Sequence, residues 1–135
     1  VLTLPARTRA MKNLFFLLGL GFICTHELDA VMQHEWRLLY ILRSLPEQTA
    51  ALAFVALHVP LFALLVWLTH HALPRVRERS RLALMVFLVI HVGLHLRLSA
   101  HPLYSFDSPL SMSLIFGAGL CGLAYLLAVF ANRSR

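Results

Sequence analysis

The sequence predicts an all-α integral membrane bundle of four transmembrane helices, on three observations. Hydrophobic residues make up 59% of the 135 and charged residues 13%, with a mean hydropathy of +0.75. That is more apolar surface than one small soluble core can bury. Apolar stretches of about 20 residues, the length that crosses a hydrocarbon core of roughly 30 Å, recur four times. The 12 lysines and arginines sit in short clusters beside those stretches rather than along a face.

The elements follow in order. Residues 1–12 form a polar N-terminal segment, and Met11-Lys12-Asn13 within it resembles a bacterial membrane-protein start, so Val1 is expected to lie upstream of the true beginning. Span one covers 13–33. It has no small-residue cleavage site and runs into His26-Glu27-Leu28-Asp29, which argues against a cleaved signal peptide. The stretch from His34 to Gln48 mixes Trp36 and Tyr40 with Glu35, Arg37 and Arg43 and closes on Pro46, as expected of an interfacial connection. Span two, 49–70, carries His58 and a kink-forming Pro60. A loop with Arg75, Arg77, Arg79 and Arg81 leads to span three, 82–100, which holds His91 and His95 with Arg97 near its end. A polar turn with His101, Tyr104 and Asp107 precedes span four, 110–131. There Ser111, Ser113, Gly117, Gly119 and Gly122 provide a small-residue packing surface. Residues 132–135 form a basic tail.

Counting lysines and arginines sets the orientation. Nine fall on one side (Arg7, Arg9, Lys12, the four loop arginines, Arg133, Arg135) and three on the other (Arg37, Arg43, Arg97). By the positive-inside rule both termini are cytoplasmic, and a multi-pass protein of the cell (inner) membrane is expected. The net charge of +6 is thereby explained by topology, which leaves no face for nucleic acid. Cys24 and Cys121 lie inside spans without a CxxC spacing and read as apolar fillers. No GxSxG nucleophile motif occurs.

Ionisable groups inside a bilayer cost several kcal/mol unless they face the interior and find partners. Counting ~1.5 Å per residue along each span puts His26, Asp29, His58, His91 and His95 in one slab about 10 Å thick. His26 and Asp29 are spaced i,i+3 and His91 and His95 i,i+4, so each pair points one way from its helix. Facing one another, with His58 from a third helix, they supply nitrogen and oxygen donors suited to Zn²⁺, Fe²⁺ or Mn²⁺. Glu27 and His34 stand on a neighbouring face, and Glu27 is the candidate general base. Glu35, Arg97, His101 and Asp107 make the outer mouth polar. A single intramembrane histidine can equally be a hydrogen-bonded interior residue, a reading that applies first to His58.

At His26-Glu27-Leu28-Asp29-Ala30, with His34-Glu35-Trp36 and the paired His91 and His95, the chain resembles small uncharacterised bacterial membrane proteins that carry an HXXEE motif. Asp29 and Ala30 stand where that motif has its two glutamates. The resemblance implies membrane helices with polar motifs and no assigned activity.

Three functions compete on these residues. The first is a divalent-metal site doing hydrolytic or redox chemistry on a lipid or other small hydrophobic, membrane-soluble substrate. The second is an electron-transfer protein with haem b held by two histidines from different helices, such as His58 with His91 or His95. The third is a non-enzymatic proton or ion pathway, or an accessory subunit of a membrane complex or homo-oligomer.

Overall fold

A computed structural model of the chain describes residues 4–133, with side chains from 6 to 131. Val1 and Arg135 therefore lie outside the described residues. Four helices account for most of the chain: α1 (Leu4–Met32), α2 (Glu47–Thr69), α3 (Pro74–Leu98) and α4 (Pro109–Arg133). All four are long and apolar enough to cross a membrane, so the chain is a multi-pass membrane protein. The helices outrun the apolar spans at the basic end. Helix α1 starts at Leu4 and α3 at Pro74, whose missing N–H and fixed φ suit a first turn. The arginines at 75, 77, 79 and 81 are thus helical rather than looped. Helix α2 continues through Pro60 from Glu47 to Thr69.

Each of α1, α3 and α4 presents one buried stripe at helical spacing. On α1 it runs Phe16, Ile23, His26, Ala30; on α3 Leu84, Met85, Leu88, His91, His95; on α4 Ser111, Leu114, Ile115, Ala118, Cys121, Tyr125. These three helices form the core, with α4 packed between α1 and α3. Helix α2 stands at the rim and meets mainly α3. Of its most apolar stretch only 6% is buried, against 28 to 39% in the other three.

Close approach depends on glycine. A Cβ added at Gly122 would lie 2.6 Å from the Met85 carbonyl oxygen, and one at Gly119 would lie 2.4 Å from Val92 Cγ2. Without a strong hydrophobic force between helices in lipid, such backbone contact is the main source of helix association. Gly93 has open space around the same position.

At the end opposite the basic cluster, the chain folds over the bundle in two single-turn 3-10 helices, Glu35–Arg37 and Leu42–Ser44. The reversal is made at His34, whose φ of 56° is the one positive value among described non-glycine residues. Trp36, which the sequence places in an interfacial connection, instead turns inward. Trp36 is buried with Ala30, Phe54, Phe106 and Ile115, while Tyr40 remains exposed. Trp36 Nε1 donates to Glu47 Oε1 (3.0 Å), and Arg37 Nη2 pairs with the same oxygen (2.9 Å). These contacts clamp the roof to the start of α2.

Two outcomes are expected. Gly122→Ala forces α3 and α4 apart and lowers stability by roughly 1–3 kcal/mol, as overpacking does, whereas Gly93→Ala is neutral or slightly stabilising; thermal unfolding in detergent compares them. The second concerns Glu47, whose carboxyl is held below the usual carboxylate range by hydrogen bonds from Arg37 and then Trp36. The clamp is therefore complete above the ordinary carboxylate pKa and is lost as pH falls through the lower folded value. Trp36 emission, read in a Trp67→Phe background, should shift red across that acid range, and Glu47→Gln should show the shifted spectrum at neutral pH.

Candidate metal centre

Three of the histidines come together. The rings of His26, His91 and His95 form a near-equilateral triangle, with centroids 4.7 Å (26–91), 4.9 Å (26–95) and 4.5 Å (91–95) apart and interplanar angles of 73 to 85°. One donor atom from each lies within 4.8 Å of the others. All three side chains are buried, His26 completely. They arise as continuations of the core stripes of α1 and α3, one or two turns beyond Ile23 and Leu88. The spacing that packs an apolar core here delivers imidazoles to its upper end.

The triangle is short of hydrogen bonds. Neither nitrogen of His26 has a partner within the protein, nor does Nε2 of His91, nor Oδ2 of the buried Asp29. Each such atom costs on the order of 1–3 kcal/mol when buried unpaired. Unpaired nitrogens on two rings of the triangle are electron-pair donors left without a partner inside the protein. His95 differs, because its Nδ1 meets the Tyr104 hydroxyl at 3.2 Å, which leaves Nε2 to the centre. That is the outer hydrogen bond that orients ligating imidazoles in metal sites. Burial, with the nearby charges of Glu35 and Asp107, raises the Tyr104 pKa and keeps its hydroxyl protonated.

Carboxylates flank the triangle. Asp29 Oδ1 accepts from Gln33 Nε2 (3.2 Å), and the Gln33 carbonyl accepts from Ser105 Oγ (2.9 Å). This chain of bonds ties α1 to the α3–α4 loop. Glu35, swung over the bundle by the turn at His34, places Oε2 4.0 Å from His26 Nε2. Burial first, then the negative charges of Glu27 and Asp29, push its carboxyl up to about 7, with His58 opposing. Phe106 covers His26 and His95 at 5.4 and 4.8 Å between centroids, and Phe87 lies 5.5 Å from His91.

His58 is not in the triangle. Its Nδ1 meets the Phe54 carbonyl (2.6 Å), so that nitrogen carries a proton, and its Nε2 meets Glu27 Oε2 (2.9 Å). Glu35 also feels the charges of both members of this pair. His34 is exposed, turns the chain and sets its ring against Trp36. Arg97 and Asp107 are exposed, and His101 is half-buried with Nδ1 accepting from the Leu103 amide. A cavity of about 300 Å³ between α3 and α4 has His95, Tyr104 and Phe106 in its wall; the rest is mainly apolar (Val92, Leu96, Met112, Ile115), with Ser99 and Asp107 as its other polar members.

Sequence reasoning missed Tyr104 and Phe106 as parts of the site, and Gln33 and Ser105 as its braces. The signal available was two aromatics in a short polar turn that follows a histidine-bearing helix.

No curated protein and no solved structure matches this chain. A family model matches residues 12–132, nearly the whole bundle, and does not bear out the likeness to HXXEE-motif proteins. The chain belongs to a family of unknown function (DUF6713).

Proposed function

We propose that this protein binds one divalent transition-metal ion through His26, His91 and His95, in the inner membrane with its basic end cytoplasmic, and uses it in hydrolytic or redox chemistry on a membrane-soluble substrate. The observation that carries the reading is the convergence of three buried imidazoles, with both nitrogens of His26 and Nε2 of His91 left unpaired. Three nitrogen donors with an open remaining position is the pattern of catalytic rather than structural zinc sites. Tetrahedral ligation at ~2.0–2.1 Å sets nitrogens about 3.3 Å apart, so donors now within 4.8 Å need close by on the order of 1 Å. The two charges of the ion are matched by Asp29 and Glu35, which removes much of the penalty of holding a cation at this depth.

In this reading Tyr104 orients His95, Asp29 offers Oδ2 as a fourth ligand or a hydrogen-bond acceptor, and Glu35 and the Glu27–His58 pair hold and move protons beside the ion. Bound metal would polarise a substrate carbonyl or lower the pKa of a bound water. The alternative of haem is disfavoured by the ring contacts. A macrocycle needs two imidazoles on its opposite faces, and here three rings meet edge to face with centroids under 5 Å apart. His58 is already committed to Glu27 and Phe54. A proton or ion pathway needs the same polar groups without the metal.

Elemental analysis of detergent-purified protein should find close to one transition-metal ion per chain. His26→Ala, His91→Ala and His95→Ala should lose it and His58→Ala should keep it; equal metal content in all of them would defeat the proposal. A second outcome separates folding from ligation. After chelation, His91→Leu should be more stable than the parent, because an unpaired buried nitrogen is gone. Re-added metal at about 100 times its Kd should stabilise only the parent, by roughly 2.7 kcal/mol.

A further inference from the structure

The basic end carries a built pocket that the metal reading does not use. Arg9, Lys12 and Asn13 of α1 and Arg77, Glu78 and Arg81 of α3 line a cavity of about 540 Å³, four cations against one carboxylate. The positive-inside rule asks for cations at this end; it does not ask that they converge on one pocket between two helices. Arg81 is held in place by Asn13 Oδ1 (3.2 Å), the Thr69 carbonyl (2.9 Å) and the Phe16 ring (4.3 Å). Lys12 is braced by Glu78 at 3.6 Å.

A second cavity, of about 420 Å³, begins at the same place and runs along the membrane-embedded length. Thr69 and Ser80 form its lower wall; Leu65, Leu61 and Phe87 continue it, and Glu27 closes its upper end. It exists because α2 stands away from α1. The two cavities share the Thr69–Arg81 contact, since Thr69 lines the apolar one and its carbonyl binds the arginine that lines the basic one. A cationic pocket at the headgroup level joined to an apolar slot inside the bilayer is complementary to a single molecule with an anionic head and a hydrocarbon chain.

We propose that an anionic glycerophospholipid is a bound partner of this protein, its phosphate among Arg9, Lys12, Arg77 and Arg81 and one acyl chain in the slot between α2 and α3, reaching toward Glu27. Basic residues at the membrane surface each contribute roughly fivefold in affinity for anionic lipid, and the slot holds the chain against the mobility it has in bulk bilayer.

Native mass spectrometry and thermal shift of the full chain in detergent test this. Phosphatidylglycerol should remain bound as one molecule per chain and should raise the melting temperature more than phosphatidylcholine with identical chains. Arg9→Gln with Lys12→Gln should reduce the preference for phosphatidylglycerol at least about tenfold, without loss of the transition metal. Ala83→Phe, which fills the slot from an exposed position, should lower retention of the lipid while leaving the fold intact. Equal shifts with the two lipids, an equal shift with inorganic phosphate alone, or a lipid-free dimer covering α2 would each overturn the assignment.

Discussion

The structure turns on one constraint: imidazoles buried in a low-dielectric helix bundle must find partners for their nitrogens. Three of the eight histidines occupy positions that elsewhere on the same stripes are held by Phe, Ile, Met and Leu. Apolar side chains at those three positions would pack the bundle without leaving buried nitrogens unpaired. Histidine there trades packing for donor atoms, and the trade is stabilising only when something accepts what the ring nitrogens and the Asp29 oxygen offer.

The rest of the upper half can be understood as a scaffold for that centre. The left-handed turn at His34 ends α1 and sends Glu35 and Trp36 across the top. Arg37, Trp36 and Glu47 then fasten the crossing to α2, while Ser105, Gln33 and Asp29 fasten α1 to the α3–α4 loop. Phe106 closes the side, and Tyr104 sets the orientation of His95. The cavity beside His95 and the apolar slot that ends at Glu27 lie on different sides of the bundle's upper half.

Much of this was legible before any coordinates. The four spans follow from apolar length alone, the glycines of α4 from what helices need to touch in lipid, and the meeting of His26, His91 and His95 from helical spacing plus depth. His58 shows where such counting stops. Depth along a helix is fixed by rise per residue, but the direction a residue faces in the bundle depends on how the helices are arranged, and α2 proves to stand at the rim. Glu35, Tyr104 and Phe106 reach the centre from segments without periodicity, where the chain reverses through one left-handed residue and two short turns. No pattern of period 3.6 encodes that path. Trp36 illustrates the same limit, since an aromatic beside a span suits the interface and the roof equally well until the turn at His34 is known.

The most direct test of the central claim is X-ray absorption spectroscopy of the purified chain at the edge of the transition metal that the proposal expects it to retain. The account requires a nearest shell of nitrogen and oxygen at ~2.0–2.1 Å with the outer scattering of three imidazoles and no sulfur. A shell containing thiolate near ~2.3 Å, or fewer than two imidazoles, would contradict it.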